Sequence, residues 1–264
     1  MHDGFVDIHC HLLPGIDDGS PDVQSSLAMA RMAVADGTRT VVVTPHQLGS
    51  FAQNRGEQIR QLTAQFQQTL SAHDISLEIL PGADVRIEDH MLGLLSSGEV
   101  LTLGDHGRHV LLELPHELYF PLEGVLAELS RRGITGILSH PERNHGLLRD
   151  PDILPSLVDS GCLMQVTAGS LLGTFGPNSQ QLAEWMLSQG LVHFLATDAH
   201  GVRARRPLLG RAFERVQSLA ELETAIALCS TNPSFVARGA PVPAGRRPVA
   251  RRGWSRFLSA RKTG

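Results

Sequence analysis

Histidine and acidic residues follow the ends of successive apolar segments along this 264-residue chain. Nine of them are placed in this way: His9, His11, Asp18, His46, Asp84, Glu113, His140, Asp198 and His200. Imidazole and carboxylate together suit zinc, manganese or iron, and the carboxylate share keeps magnesium open as well. Nine ligands are too many for one ion, and they suffice for two or three if one carboxylate bridges. The sequence therefore predicts a site for two or three divalent metal ions.

The spacing of the first and last candidates has a geometric reason. Residues i and i+2 of a β-strand lie on the same side. His9 and His11 can therefore bind one ion together, and Asp198 and His200 repeat this spacing near the other end of the sequence. Cys10 points to the opposite side and is predicted to be a buried core thiol. Seven other histidines are interpreted as surface or loop residues: His2, His73, His90, His106, His109, His116 and His193. His145, just past His140, is left open between the two interpretations.

The elements that would position these side chains are strands alternating with helices. Short apolar runs, several of them rich in β-branched residues, are followed by stretches with helical periodicity. The predicted strands cover residues 4–9, 40–44, 77–80, 110–114, 134–139, 163–166 and 192–196. The predicted helices cover residues 22–36, 54–73, 121–131, 151–159, 178–189, 208–217 and 220–229.

This alternation indicates an α/β fold built on a parallel sheet with helices outside it. Seven βα units in about 235 residues favour a closed or nearly closed barrel, and an open doubly wound sheet is the alternative. The carboxyl ends of all strands lie on one face of a parallel barrel, and that face carries the active site. We therefore expect the nine side chains to converge there, although they are far apart in sequence.

The charges of the chain are unevenly divided. Residues 1–237 hold 15 basic and 27 acidic residues, a net charge of −12, whereas residues 238–264 hold eight basic residues and no acidic one. The acidic body argues against nucleic acid as the main partner, because phosphate backbones bind to positive surfaces. We predict one domain over residues 1–237 and a flexible basic tail over residues 238–264. Its charges, with Trp254, Phe257 and Leu258, could contact an anionic membrane surface; a solvated, disordered end is the alternative.

Composition also indicates the cellular compartment in which the protein is expected. No apolar run reaches 18 residues, which argues against a transmembrane helix, and the N-terminus lacks the pattern of a secretory signal. The three cysteines, Cys10, Cys162 and Cys229, are scattered and odd in number. This usage fits a reducing compartment without a disulfide framework. A cytoplasmic location is therefore expected.

Several segments of the chain resemble those of one known group of proteins. They are DIHCHLLPGIDDGS (7–20), TPHQ (44–47), PGADVRI (81–87), LLELP (111–115), SHPERN (139–144), QVTAGSLLGTFG (165–176) and TDAH (197–200). In this order they resemble the PHP (polymerase and histidinol phosphatase) superfamily of metal-dependent phosphoesterases. Within it, the chain is most similar to the CpsB/YwqE-type bacterial tyrosine-protein phosphatases of capsular and exopolysaccharide gene clusters.

The resemblance implies a distorted (β/α)7 PHP-type barrel with a trinuclear site, with manganese as the expected ion. His9, His11 and Asp198 would hold one ion, His140 and Glu113 a second, and Asp18, His46 and His200 the third. Asp84 matches the bridging carboxylate, where the family usually has the longer glutamate. Arg143 and Arg205 match arginines that contact the phosphate; Arg203 and Arg206 lie close enough in sequence to be alternatives to Arg205.

The activity implied by the resemblance is hydrolysis of phosphotyrosine by attack of a metal-bridging hydroxide. The substrate would be a phosphotyrosine protein, a membrane-associated bacterial tyrosine kinase that regulates polysaccharide synthesis. No cysteine is followed six residues later by arginine, so the phosphate loop of cysteine-dependent phosphatases is absent. The alternatives are a small-molecule phosphomonoesterase, such as a histidinol-phosphate phosphatase, and a catalytically weak metal-binding module. A nuclease is disfavoured by the acidic body.

Overall fold

The computed structural model describes residues 4–246 of the chain. Within this range, nine strands pair with one another in parallel. They are β1 (Phe5–Cys10), β2 (Thr38–Val43), β3 (His46–Gln47), β4 (Glu78–Pro81), β5 (Asp84–Arg86), β6 (His109–Glu113), β7 (Thr135–Ser139), β8 (Leu163–Thr167) and β9 (Phe194–Ala196).

Helices follow most strands. They are α1 (Val23–Ala35), α2 (Gly56–Ala72), α3 (Met91–Ser97), α4 (Glu123–Arg131), α5 (His145–Arg149), α6 (Ile153–Asp159), α7 (Ala168–Leu171), α8 (Pro177–Ser188), α9 (Gly210–Leu219), α10 (Leu222–Ile226) and α11 (Asn232–Ala237). The seven predicted helices are all present, and the helices that the periodicity missed have seven residues or fewer. Such short helices span too few turns to give a periodic signal.

Two of the seven predicted strands, 40–44 and 77–80, are each followed by a second short strand that was not predicted. Thr44 and Pro45 separate β2 from β3, and Gly82 and Ala83 separate β4 from β5. Proline has no backbone N–H to donate to a neighbouring strand, which explains the first break. Because β2 pairs with β4 and β3 pairs with β5, the neighbouring strands are interrupted at the same level.

The barrel closes between its first and last strands. The order around it runs β1-β2-β4 in one hydrogen-bonded sheet and β3-β5-β6-β7-β8-β9 in the other. Beyond β9, the Asp198 N–H donates to the His9 carbonyl at 2.7 Å, and the His11 N–H donates to the Ala199 carbonyl at 2.9 Å. The prediction of a distorted (β/α)7 barrel is confirmed, and the open doubly wound alternative was wrong.

Two apolar clusters separate the inside of the barrel from the layer beneath the helices. Val6 and Ile8 of β1 belong to the inner cluster, whereas Cys10 belongs to the outer one. Strict alternation would place Cys10 inside with Ile8. The pairing of β1 with β2 shifts register between Asp7 and Cys10. The alternation of side chains between the inside and the outside of the barrel is interrupted there. Cys10 is fully buried, as predicted.

Two histidines predicted to lie in loops or on the surface are instead buried at the amino-terminal end of the strands. His109 is 3% exposed and His193 is fully buried. The Met164 N–H donates to Nδ1 of His193 at 3.0 Å, so its Nε2 carries the hydrogen and donates to the Gly245 carbonyl at 3.0 Å. The interpretation was wrong for His109, which begins β6, whereas His193 lies in the loop before β9 but not at the surface. Sequence spacing does not reveal which polar groups the rest of the chain will cover.

The start of the predicted tail packs against this end of the barrel. Val242 contacts the inner apolar cluster, and Arg246 binds Asp159 of α6 at 2.7 Å. Residues 238–246 are therefore in contact with the domain, while residues 247–264, with Trp254, Phe257 and Leu258, lie outside the described residues. The boundary at residue 237 stays a prediction. Between residues 4 and 246, no helix combines the length and apolar character needed to cross a bilayer.

Candidate metal centre

The nine predicted side chains lie together at the carboxyl ends of the strands. β1 and the turn after it carry three of them, β3, β5 and β6 carry one each, and the segments after β7 and β9 carry the rest. Four overlapping sets have potential ligand atoms within 4.8 Å of one another: His11, Asp18, His46 and His200; His9, His11 and Asp84; His9, His140 and Asp198; and His46, Asp84 and Glu113.

These sets overlap more than the family resemblance implied. His140 groups with His9 and Asp198, although its Nε2 also lies 3.9 Å from Oε1 of Glu113. Asp84 occurs in two sets, with His9 in one and His46 in the other. The assignment of ligands to individual ions therefore stays a prediction.

Two buried aspartates connect the imidazoles. Oδ1 of Asp198 lies 3.3 Å from Nε2 of His9 and 3.5 Å from Nε2 of His11. Oδ2 of Asp84 lies 3.5 Å from Nε2 of His9 and 3.5 Å from Nδ1 of His46. The shorter Asp84 side chain thus still lies between histidines of two strands, as a bridging carboxylate must.

Asp18 lies on the solvent side of the cluster. Its side chain is 55% exposed, and its Oδ1 is 3.4 Å from Nε2 of both His46 and His200. The neighbouring imidazole of His200 lowers the pKa of Asp18 from its usual value, so the carboxylate is ionised at neutral pH. It therefore presents a charged oxygen at the mouth of the cluster, where an ion could bind.

Two of the nine residues, and Arg205 nearby, have left-handed backbone conformations, which cost free energy for residues other than glycine. The φ angles are 34° at His140, 51° at Asp198 and 47° at Arg205. Among the described non-glycine residues, only Leu48, Asp74 and Asp105 share this feature. Strain that recurs at a site is consistent with a backbone shaped by the positions its side chains must reach.

Several buried polar atoms of the cluster have no hydrogen-bond partner among the described residues. They are both carboxylate oxygens of Asp84, Oδ1 of Asp198 and Nε2 of His200. Burying polar atoms without partners is costly, so such atoms in a folded protein usually bind something else. Carboxylate oxygens and imidazole nitrogens directed at one another fit divalent metal ions, and the donor set suits manganese, iron or zinc.

The buried charges shift one another's proton affinities. For His11, burial lowers the pKa, but the carboxylates of Asp17 and Asp198 outweigh it and raise the pKa to about 10. For Glu113, burial and the charge of Asp84 raise the pKa to about 8. For His46, burial and the charge of His11 lower the pKa to about 4. Protons thus balance the buried carboxylates, and divalent ions would displace them, because ligands bind metals in their deprotonated forms.

Two residues that were not predicted orient His9 of β1 and His11, which directly follows it. Nδ1 of His11 donates to Oδ2 of Asp17 at 2.7 Å, and Nδ1 of His9 lies 2.8 Å from Oε1 of Gln165 in β8. Asp17 also accepts the backbone N–H groups of Gly19 and His46, both at 3.0 Å. Partners of this kind fix the ring orientation and the tautomer that leave Nε2 free for a metal.

Only Asp17 had a signal in the sequence, since it precedes Asp18 in the same acidic pair. Spacing could not tell which aspartate faces the metal centre and which supports a histidine from behind. Gln165 is 156 residues away from the ring that it contacts, and no local pattern connects the two.

Both predicted phosphate-binding arginines reach the centre. Nη1 of Arg143 and Nη2 of Arg205 contact the same oxygen, Oδ2 of Asp198, the latter at 2.5 Å. Arg203 and Arg206, the alternatives to Arg205, are exposed. The guanidinium of Arg143 also lies 4.3 Å from the ring centre of Phe175, which holds it in place. The two cations therefore meet at one edge of the cluster, where an anion could bind both.

A parallel barrel that gathers imidazoles, carboxylates and two arginines at its carboxyl-end face defines the class of barrel metallohydrolases. Residues 5–238 match the family described as "Capsular polysaccharide synthesis, CpsB/CapC". The chain belongs to the CpsB/CapC family.

Relatives in this family are described as tyrosine-protein phosphatases. YwqE of Bacillus subtilis (strain 168) is 36% identical over 203 residues, which cover 76% of this chain and 79% of YwqE. CpsB of Streptococcus pneumoniae is 26% identical over 235 residues, which cover 87% of this chain and 96% of CpsB.

Solved structures agree with this membership. A structure from the work on YwqE and CpsB, described as unique metal-dependent tyrosine phosphatases, superposes with a TM-score of 0.87 at 32% identity, covering 93% of this chain and 100% of that chain. The Escherichia coli phosphotriesterase homology protein, at a TM-score of 0.58 and 13% identity, covers 89% of this chain and 98% of its own and shares the fold alone.

Proposed function

We propose that this protein is a metal-dependent protein-tyrosine phosphatase that hydrolyses phosphotyrosine on a protein substrate. The observation that carries the proposal is the convergence of the nine metal-ligand candidates with two arginines that share one oxygen of Asp198. This geometry supports binding of a dianionic phosphate between a cationic metal cluster and two guanidinium groups. The description of YwqE and CpsB as tyrosine-protein phosphatases supports the choice of phosphotyrosine.

The proposed ligands are His9, His11, Asp18, His46, Asp84, Glu113, His140, Asp198 and His200, holding two or three ions, with manganese as the proposed metal. Asp18 and His200 lie at the mouth of the cluster, and Asp84 and Asp198 lie at its centre. Divalent ions held there supply Lewis-acid stabilisation of phosphoryl charge and make water acidic enough to be a nucleophile near neutral pH.

The residues of the chain orient the phosphoryl group and stabilise its charge. Arg143 and Arg205 can each donate two hydrogen bonds to phosphate oxygens, and they stabilise the charge that spreads over the equatorial oxygens during in-line displacement. Asp198 holds both guanidinium groups at the edge of the cluster before substrate binds. The leaving tyrosine phenolate has a parent pKa of about 10, so it needs less protonation than a serine alkoxide.

The proposed substrate is a membrane-associated bacterial tyrosine kinase that regulates polysaccharide synthesis, which places the enzyme in the cytoplasm. Membership of the capsular polysaccharide synthesis family supports this proposal. We also propose that the basic residues beyond Arg246 contact anionic lipid near that kinase. Co-sedimentation with vesicles containing phosphatidylserine should fall when residues 247–264 are removed; equal sedimentation of both proteins would contradict the contact.

The test of function is phosphate release by metal-stripped protein reloaded with manganese. Phosphotyrosine, phosphoserine and histidinol phosphate are compared side by side, with His140→Ala as the variant that removes a proposed ligand. We expect marked preference for phosphotyrosine, no release without metal, and a loss of at least about 100-fold in His140→Ala. His73→Ala is the matched control, because His73 is exposed and directly follows α2, and it should keep wild-type activity.

Two results would contradict the proposal in different ways. Preference for histidinol phosphate would keep the metal centre but assign the protein to small-molecule phosphate chemistry. No phosphate release with any substrate, at full metal content, would indicate a metal-binding module without catalysis.

A further inference from the structure

A cavity of about 170 Å³ adjoins the candidate metal centre. It is lined by His46, Gln47, Leu48, Gly49, Ser50, Phe51, Arg86 and Glu113; we call it the Phe51 pocket. Because two of its residues are proposed metal ligands, a molecule whose phosphate binds at the centre can place its adjoining group in the pocket.

Two planar groups line this mainly polar pocket, the ring of Phe51 and the guanidinium of Arg86, and both can pack on a flat ring. The ring of Phe51 stacks on the imidazole of His46, with ring centres 5.4 Å apart and an angle of 16° between the planes. Nη1 of Arg86 lies 3.7 Å from Oε2 of Glu113 and 3.5 Å from the Leu114 carbonyl. These contacts hold the guanidinium of Arg86 beside the pocket, where its planar face can pack on an aromatic ring.

The segment that carries Phe51 is fixed by its backbone. Leu48 and Gly49 have left-handed φ angles of 70° and 53°, and the Phe51 N–H donates to the Leu48 carbonyl at 3.0 Å. The buried side chain of Asn54 donates to the His46 carbonyl at 2.9 Å and to the Ile16 carbonyl at 3.2 Å. The pocket is therefore preformed, which lowers the entropic cost of binding a rigid group.

We propose that the Phe51 pocket binds the aromatic ring of the substrate phosphotyrosine and so selects aryl over alkyl phosphates. The proposal rests on the phosphatase function proposed above. The volume is sufficient for one ring, since benzene occupies a cavity of about 150 Å³. Phe51 supplies an aromatic surface against which a second ring can stack, and Arg86 supplies a cation for its face.

Phe175, the other aromatic residue beside a proposed phosphate-binding group, is less suited to this role. The guanidinium of Arg143 lies over its ring at 4.3 Å from the centre. That ring positions an arginine and does not line the cavity described above. Phe51, in contrast, lines a cavity of the required size.

The test measures binding of non-hydrolysable phosphonates, which removes the effect of the leaving group. Benzylphosphonate and ethylphosphonate are titrated by calorimetry into manganese-loaded wild type, Phe51→Ala and Phe51→Leu. The ratio of their affinities isolates the ring, because any general loss at the metal centre affects both ligands. We expect the aryl preference to fall about five- to tenfold in Phe51→Ala and by less in Phe51→Leu.

Phe120→Ala is the matched control, since Phe120 is half-buried against the outer core and does not line the pocket. It should keep the wild-type affinity ratio. An unchanged ratio in both Phe51 variants would overturn the proposal. So would a phosphonoacetate affinity that exceeds the benzylphosphonate affinity and depends more strongly on Phe51, because it would indicate an acidic occupant of the pocket. The wild type could fail to hydrolyse phosphotyrosine and still bind benzylphosphonate more tightly than ethylphosphonate. That result would overturn the phosphatase function but not the ring-binding pocket.

Discussion

Single residues that hold other side chains shape this site as much as the proposed ligands do. Asp17 accepts three hydrogen bonds, one from the ring of His11 and two from the backbone of Gly19 and His46. It therefore ties together two proposed ligands that belong to different strands. The charge of Asp17 also raises the pKa of His11 against the effect of burial, which makes that imidazole a better electron donor.

Replacing Asp17 with asparagine should weaken metal binding. The amide keeps the size of the side chain but removes the charge and one acceptor oxygen, and losses of this kind typically cost about 10- to 100-fold in metal affinity. The manganese affinity of wild type and Asp17→Asn is measured by calorimetry. Asp22→Asn is the control, because Asp22 caps α1 through the Ser25 N–H and contacts no proposed ligand. Equal manganese affinities in wild type and Asp17→Asn would contradict the assigned role.

The turn between β1 and α1 is the element that places Asp17 and Asp18. It is closed by the Gly15 N–H, which donates to the Ser20 carbonyl at 2.8 Å, and by the Ser20 N–H, which donates to the His11 carbonyl at 3.2 Å. Gly19 lies where this turn passes closest to β1. A side chain there would have its Cβ 2.4 Å from Cβ of His11 and 2.5 Å from the His11 carbonyl oxygen. Since backbone atoms cannot yield, only glycine fits.

Gly19→Ala should therefore displace the turn and disturb both aspartates. We expect a loss of about 1–3 kcal/mol in the free energy of unfolding, together with lower metal content after reconstitution. Urea unfolding and metal analysis measure the two effects. Gly124→Ala in α4 is the control, because nothing lies within 4 Å of the added Cβ, and it should stabilise the protein slightly. Wild-type stability of Gly19→Ala would show that the turn can move.

The candidate metal centre lies at the carboxyl ends of the strands, and residues 238–246 cover the opposite end of the barrel. His109 begins β6 at the covered end, and its Nδ1 has no hydrogen-bond partner among the described residues. Burial, together with the charges of Arg108 and His106, lowers its pKa to about 4. The folded state therefore keeps His109 neutral under conditions in which an unfolded chain would bind a proton.

The sign of the resulting pH effect follows from linkage. Between the unfolded pKa of 6.5 and the folded pKa of about 4, the unfolded state binds more protons, so stability falls as the pH falls. The contribution of His109 over this window is about 3 kcal/mol. Urea unfolding at several pH values should show a shallower acid decline in His109→Gln than in wild type. His73→Gln, at an exposed histidine, is the control; equal declines in wild type and His109→Gln would refute the assignment.

The sequence determined the residue types, their order and the alternation of strands and helices. These follow from local periodicity and from the rule that parallel strands end on one face, and they were enough to predict the barrel and to bring nine side chains to its carboxyl-end face. The short strands β3 and β5 and the short helices were missed, because they are too short to carry a periodic signal.

Only the tertiary structure decided which side chains face one another. A register shift in β1 moves Cys10 away from Ile8, and Gln165 approaches His9 across 156 residues of sequence. Asp17 and Asp18 are adjacent and chemically alike, yet one supports a histidine and the other lies at the mouth of the site. The physical reason is that side-chain direction depends on backbone angles and packing, which non-local contacts fix, whereas periodicity records only local preference.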